Sequence, residues 1–387
     1  MALTTNSLPG FLDDLKRQHL FRRRRVLESP QGVEITIDGR PMLAFCSNDY
    51  LGLANHPKLR QSMADGLNKY GVGAGASHLL SGHTAAHHAL EEELAEFVGT
   101  ERALLFSTGY MANQAVITSL TDRHGLIVED RLNHASLIDA ARLSRASVKR
   151  FPHADVGKAG ALLRSTEDAL LSTDAVFSMD GDLAPLPELV RITRDRAWLL
   201  ADDAHGIGVL GENGRGSFRH HQLSVESHTI YMGTLGKAMG TAGAFVAGTG
   251  DLVEALVQTG RTYIYTTAMP PAVAEATRAA IRLLSEDEGP RQKLFSNIDQ
   301  FRRGATELGL QLMESATAIQ PIVFGSSENA ILASETLERA GILVPAIRPP
   351  TVPEGTARLR ITLSAAHTEQ QVDQLLDSLS GLAKANA

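Results

Sequence analysis

WLLADDAHGIGVLG (198–211) is a short apolar run that ends on two acids and passes into a glycine-rich turn. Two readings of it compete. The tail GIGVLG (206–211) matches G-x-G-x-x-G after a predicted strand, as the phosphate turn of a dinucleotide fold does. That reading needs a helix straight after the glycines and an acid about 20 residues on. The chain continues instead as ENGRGS, rich in turn residues, and the required distance holds Ile230 and Tyr231. The stretch therefore reads as a buried strand, a pair of acids at its carboxyl end and a flexible loop.

Working outward, similar apolar runs recur at ALLFS (103–107), LIVED (126–130), AVFSMD (175–180), IYMG (230–233) and GAFVAG (243–248), mostly separated by helix-length segments. Continuous apolar strands between helices predict an α/β fold with a mostly parallel sheet covered on both faces. Ligands of such sheets collect at the carboxyl ends of the strands. Phe106–Ser107, Ser178–Met179, Asp202–Asp203 and Gly233–Thr234 fall at those ends. HHALEEELAEFVG (87–99) places Leu90, Leu94, Phe97 and Val98 on one helical face and stops at Gly99. Residues 1–30 read as a helix and VEITIDGRPMLAF (33–45) as a hairpin turning at its Asp-Gly. After Pro270–Pro271, helical segments near 272–285 and 290–308 precede AIQPIVFG, ILVPAIRPP, ARLRITLS and a last helix. The expected organisation is an N-terminal segment (1–55), a large domain (56–285) and a small α+β domain (286–387) that packs with the N-terminal segment.

A chain of 387 residues with 43% hydrophobic content is too long for one ordinary core. Its net charge of −7 gives no general attraction to nucleic acid or anionic membrane. The single cysteine, Cys46, excludes an internal disulfide framework and suits a reducing cytoplasm. No apolar run approaches the ~20 residues that span a bilayer, and the N-terminus has no signal-peptide pattern.

Several motifs are decoys. Lys237 in GTLGKAMG (233–240) is not a P-loop lysine, because Tyr231 stands at the first glycine position and Ala238 replaces the magnesium-binding hydroxyl. GVGAGA (71–76) is read as a loop. His83 and His87 lack an accompanying metal-site carboxylate signature and are read as helix-surface histidines, so no metal is expected. The row Arg22–Arg25 is read as a solvated helix end, with an anion grip as the alternative.

A different set of residues converges. Asp202 ends one strand and Lys237 follows the end of the next, so an acid and an amine can face one cavity across a flat ligand. Ser107-Thr108-Gly109-Tyr110 precedes a helix expected to begin near Met111, and a helix N-terminus offers N–H groups to a phosphate. His134 follows another strand and supplies a flat ring. A phosphate cradle, an acid, an amine and an imidazole together describe a pocket for pyridoxal 5'-phosphate (PLP). The lysine amine condenses with the aldehyde, and the aspartate keeps the pyridine nitrogen protonated. Spacing alone fits equally an ordinary loop lysine beside a structural acid–histidine pair.

The blocks SNDYLGL (47–53), LFSTGYMANQAV (105–116), DRLNHASLIDA (130–140), FSMDGDLAPL (177–186), DDAHGIGVLGENGRG (202–216) and GTLGKAMG (233–240) break that tie. In this order, and over nearly the whole chain, the sequence resembles the α-oxoamine synthases, PLP enzymes of fold type I. The resemblance implies a mostly parallel seven-stranded sheet in the large domain and a homodimer with shared active sites. It implies that Lys237 carries PLP and acts as acid and base, that His134 stacks on the ring, and that Asp202 pairs with its nitrogen. Ser178 and His205 then approach the phenolic oxygen, and Gly109, Tyr110 and Thr234 hold the phosphate, joined by a threonine of YTTAMPP (265–271) from the partner subunit. Arg360 binds the amino-acid carboxylate near Asn48, and Thr351 and Arg22 contact the acyl side. IRPPTVPEGTARLRITLSAAHT (347–368) and SMDGDLAPL are most similar to members that join L-alanine to a pimeloyl thioester, on coenzyme A or an acyl carrier protein, in biotin synthesis. Members that use glycine or serine are the alternative.

Overall fold

The computed structural model describes residues 3–164 and 169–385. The chain divides into two units: residues 1–48, 179–181 and 293–387 form the smaller, and 49–178 with 182–292 the larger. No linear reading of the sequence suggests that three residues of the SMDGD block belong with the chain's two ends. Residues 1–2 and 386–387, at the outer limits of the expected terminal segments, lie outside the described residues.

In the smaller unit, the N-terminal helix covers only Leu8–Arg17 and buries none of its residues. It stops because His19 takes a left-handed backbone conformation, φ 56°. The expected helix over 1–30 is therefore too long by its second half. Arg22–Arg25 are not a helix end but part of an extended run, in which Arg25 pairs with Asp38 and Glu338. Strands β1 (Glu34–Ile37) and β2 (Arg40–Ala44) form the expected hairpin. Asp38 and Gly39 at its tip both have positive φ, as a tight two-residue hairpin turn requires. Ile35, Ile37, Met42 and Ala44 make its small core.

The larger unit carries a seven-stranded sheet. Its strands are β3 (Arg102–Phe106), β4 (Leu126–Asp130), β5 (Ser147–Phe151), β6 (Ala169–Asp174), β7 (Ala197–Asp202), β8 (Thr229–Thr234) and β9 (Ala244–Gly248). Their order is β3-β9-β8-β7-β6-β4-β5, with β9 antiparallel to both neighbours and the other pairs parallel. Leu104, Ile127, Leu170, Leu200, Ile230 and Val246 from the strands pack with Val116, Leu137 and Leu252 from covering helices. Burial on both faces is why these strands read as unbroken apolar runs.

Two strand assignments change. The run AVFSMD is not a strand; the strand is ALLSTD (169–174), and 175–184 folds back as a hairpin held by a Val176–Leu183 bridge. Polar Ser172, Thr173 and Asp174 disguise it, yet all are buried and hydrogen-bonded: Asn133 donates to Ser172, Thr173 to the Asp174 carbonyl, and the His134 N–H to Asp174. The edge strand β5, SVKRF, has four exposed residues and leaves no apolar signature.

The helix Ala85–Val98 buries Leu90, Leu94 and Phe97 and ends at Gly99 in the left-handed conformation. Of the two histidines read as surface groups, His87 is buried and His83 half-buried, while His88 on the same helix is exposed. His87 is fully buried, with Nδ1 accepting from the Thr84 N–H and Nε2–H donating to the Met269 carbonyl. His83 precedes the helix and hydrogen-bonds His78 through Nδ1 at 2.9 Å. Burial lowers the pKa of all three, so they are held neutral.

In the smaller unit's C-terminal part, β10 (Ile319–Gly325), β11 (Ile342–Leu343), β12 (Ala346–Ile347) and β13 (Ala357–Thr362) follow. The order β10-β13-β12 makes one antiparallel sheet, and β11 pairs parallel with β2. Among the described residues, no helix is long and apolar enough to cross a membrane.

Candidate active site

In the larger unit, the carboxyl ends of β6, β7 and β8 present Asp174, Asp202 and Thr234. Lys237 follows in the turn after β8. Its Nζ lies 2.9 Å from His205 Nε2, and His205 Nδ1 lies 2.6 Å from the buried Tyr50 hydroxyl. An ammonium has donors only. A charged Lys237 therefore donates to Nε2, and His205 carries its proton on Nδ1 and donates to Tyr50. A neutral Lys237 accepts from Nε2–H instead, with the Tyr50 hydroxyl donating to Nδ1. The three groups serve the amine in either protonation state without losing a hydrogen bond.

Asp202 is 3% exposed. Its Oδ2 accepts from Asn113 Nδ2 at 2.7 Å and its Oδ1 from the Ala204 N–H at 3.0 Å. Asn113 also donates to Ser136 Oγ at 2.9 Å, and Ser136 lies 2.8 Å from His134 Nδ1. The Ser136 backbone N–H donates to His134 Nδ1 at 3.3 Å, so Nδ1 is an acceptor and takes the Ser136 hydroxyl proton as well. The His134 proton therefore sits on Nε2. Burial lowers the His134 pKa, with the Asp202 charge opposing and the Lys237 charge assisting, so the ring is neutral and flat. Asp174 stands in register with Asp202 and accepts from the His134 N–H at 2.6 Å. Burial, then the charge of Asp202, raises the Asp174 pKa well above the usual carboxylate range.

Gly109 opens the helix Gly109–Leu120, two residues earlier than expected, with Thr108 as its cap. A Cβ on Gly109 would come within 2.8 Å of Thr234 Cγ2, so only glycine lets the helix N-terminus approach β8 this closely. Tyr110 turns its side chain outward, with its hydroxyl on Asp139, and leaves its backbone N–H for an anion. Ser178 sits on the 175–184 hairpin beyond β6, not at a strand end.

These residues fit PLP. The hydrogen-bond partners of Asp202 among the described residues, Asn113 and the Ala204 N–H, are neutral, and a buried carboxylate so placed favours a cation beside it. A protonated pyridine nitrogen is such a cation. The Gly109 cradle suits a phosphate, and the Lys237 amine an aldehyde.

In the smaller unit, Arg360 lies on β13, 6% exposed. Its Nη1 donates to Thr362 Oγ1 at 3.1 Å and its Nη2 to Asn48 Oδ1 at 3.3 Å. Burial pushes the nearby Cys46 thiol up to about 11, against the pull of the Arg360 charge. Thr351 is exposed in a turn whose N–H bonds the Arg348 carbonyl, and Arg22 is exposed in the extended N-terminal run.

Asn113, Ser136, Tyr50 and Asp174 escaped the sequence reading. Asn113 carried a signal, an amide on the apolar face of a helix. Ser136 had none, since serine is common in a first helical turn.

An aminotransferase class I and II family model matches residues 40–379. The 8-amino-7-oxononanoate synthase of Thioalkalivibrio sulfidiphilus is 59% identical over 372 residues, 95% of each chain. The chain belongs to the 8-amino-7-oxononanoate synthase family of the class I and II aminotransferases. Among solved structures, a serine palmitoyltransferase with PLP superposes with a TM-score of 0.92 at 30% identity, covering 100% of this chain and 99% of that one. The 8-amino-7-oxononanoate synthase of Francisella tularensis gives 0.80 at 32% identity, covering 89% and 98%. The fold is that of the fold-type I PLP enzymes, and the cofactor of this family is PLP.

Proposed function

We propose that this chain condenses L-alanine with a pimeloyl thioester, releasing carbon dioxide and free thiol and forming 8-amino-7-oxononanoate in biotin synthesis. The observation that carries the reading is the linked set Lys237–His205–Tyr50 and Asp202–Asn113–Ser136–His134 at the strand ends of the larger unit. Relatives at 53–59% identity favour alanine and the pimeloyl chain over the serine chemistry of structural neighbours at 30%.

When bound, PLP supplies an electron sink that stabilises negative charge on the amino acid's α-carbon. Lys237 Nζ would hold the cofactor aldehyde and, as a free amine, would take the α-proton. His205 and Tyr50 adjust their hydrogen bonds as the lysine changes charge. Asp202 keeps a proton on the ring nitrogen. Asn113 fixes the Asp202 carboxylate and, through Ser136, the His134 tautomer. His134 stacks on the ring, and its Nε2–H donates to the oxyanion that develops on the thioester carbonyl. Gly109, Tyr110 and Thr234 hold the phosphate, and Ser178 and His205 meet the phenolic oxygen. Arg360, steadied by Asn48, binds the alanine carboxylate; Lys in its place would lose the bidentate fork. Arg22 and Thr351 contact the acyl side, on either coenzyme A or an acyl carrier protein. The working form is a cytoplasmic homodimer in which a threonine of 265–271 reaches the partner's phosphate.

Free-thiol release from pimeloyl-CoA, measured with alanine, glycine and serine in turn, tests this reading. Alanine should support turnover at least about tenfold better than either, the discrimination that one methyl-sized difference in packing commonly supplies. Equal or greater activity with glycine or serine would overturn it.

A further inference from the structure

His153, in FPHADV just past β5, belongs to none of the motifs above. Its Nδ1 lies 3.1 Å from Asp130 Oδ1 and its Nε2 2.7 Å from Asp182 Oδ2. Carboxylates only accept, so both ring nitrogens donate, and only the imidazolium has two N–H groups. Burial opposes the charge, but the hydrogen bonds and charges of Asp130 and Asp182 outweigh it and raise His153 to about 10.

The two acids stand on different elements. Asp130 is the last residue of β4, 1% exposed, and also accepts from the N–H groups of Leu132 and Ala154, each at 2.8 Å. Asp182 lies on the returning arm of the 175–184 hairpin, and its other oxygen, Oδ1, is buried with no hydrogen-bond partner among the described residues. The outgoing arm is tied to the same residue, since the Phe177 N–H donates to the Asp182 carbonyl at 3.0 Å. The Phe177 ring also meets the His153 ring edge-on, with centroids 4.3 Å apart. Ser178 is the next residue. One cation thus fixes both the side chain opposite Phe177 and the ring of Phe177 itself.

We infer that His153 is a positioning residue for Ser178: its imidazolium ties the 175–184 hairpin to the end of β4 through Asp182 and Asp130, and so sets where the serine hydroxyl stands. This rests on the reading of Ser178 as the group that meets the cofactor's phenolic oxygen. The ring touches no reacting atom. Its effect reaches the chemistry only through Ser178.

The test is a double-mutant cycle on the full-length, PLP-loaded enzyme with His153→Gln, Ser178→Ala and both together. The readouts are the pH midpoint of the bound cofactor's absorption change, kcat and the alanine KM. His153→Gln should move the midpoint in the same direction as Ser178→Ala. It should lower kcat about tenfold, the loss of one well-placed hydrogen bond, with little change in KM. In the Ser178→Ala background the same substitution should change kcat by less than about twofold, because the group it positions is gone. Equal losses in both backgrounds would show a general structural effect and overturn the inference, as would an unmoved midpoint in His153→Gln. If Ser178→Ala alone leaves the midpoint unmoved, the reading of Ser178 fails first, and the inference with it. Should His153→Gln not fold, Asp182→Asn, which keeps the size of that corner, carries the same cycle under the same criteria.

Discussion

Replacing Asp202 by Asn separates the electrostatic role of this residue from its structural one. Asp202 accepts from Asn113 on one oxygen and from the Ala204 N–H on the other. An amide has one acceptor oxygen, so one of these bonds is lost whichever way it points. Flipping Asn113 to compensate would break its bond to Ser136. One lost hydrogen bond costs about 0.5–1.5 kcal/mol. Against this, the substitution removes a buried charge beside Asp174, whose own pKa that charge raises. The chain without cofactor should therefore change in unfolding free energy by no more than about 1.5 kcal/mol, the upper size of the single bond at stake. PLP binding should suffer more. Losing a charge-assisted bond to the ring nitrogen removes about 1.5–3 kcal/mol, an affinity loss of roughly ten- to a hundredfold. Absorbance titration with PLP gives the affinity, thiol release at saturating PLP gives kcat, and urea unfolding gives the stability. PLP affinity within about twofold of the unsubstituted enzyme, with unchanged kcat, would refute the reasoning, since that is below the weakest charge-assisted bond.

Tyr50→Phe removes the hydroxyl that lies 2.6 Å from the buried His205 Nδ1; stability should fall by about 0.5–1.5 kcal/mol, and kcat should fall at saturating PLP, while unchanged kcat would separate Tyr50 from the lysine. Gly109→Ala places a methyl 2.8 Å from Thr234 Cγ2; the overpacking should cost about 1–3 kcal/mol, felt mainly as weaker PLP binding, and an unaltered PLP affinity would remove the cradle from the phosphate site. Glu91 is raised by burial from 4.5 to about 7, against the hydrogen bond from the Leu105 N–H. The folded chain therefore holds this proton more tightly than the unfolded one, and the associated stability, full below pH 4.5, is lost as pH rises to 7. Glu91→Gln should gain on the unsubstituted chain across that window, by up to about 3 kcal/mol; a pH-independent difference in urea unfolding would contradict it.

The sheet was legible because strands buried on both faces carry unbroken apolar runs, as in LIVED and GAFVAG. It failed where burial and polarity part company. ALLSTD is a core strand whose serine, threonine and aspartate are satisfied by side-chain hydrogen bonds, and SVKRF is an exposed edge. The N-terminal helix was overread because basic residues extend a helical pattern cheaply, and nothing in HLFRRRR announces the left-handed turn at His19. Chemically distinctive groups, Lys237, Asp202 and His134, stand out from composition and strand-end position. Their supports do not, because the bond from Asn113 to Asp202 spans 89 residues and depends on how a helix faces a strand.

The central claim is that the Lys237 amine holds the cofactor. Loading the enzyme with PLP, reducing with borohydride and mapping peptides by mass tests it directly. The account expects the pyridoxyl mass on the peptide containing residue 237, and its absence together with lost turnover in Lys237→Ala. A stable label on any other lysine, or none on the PLP-loaded enzyme, would contradict it.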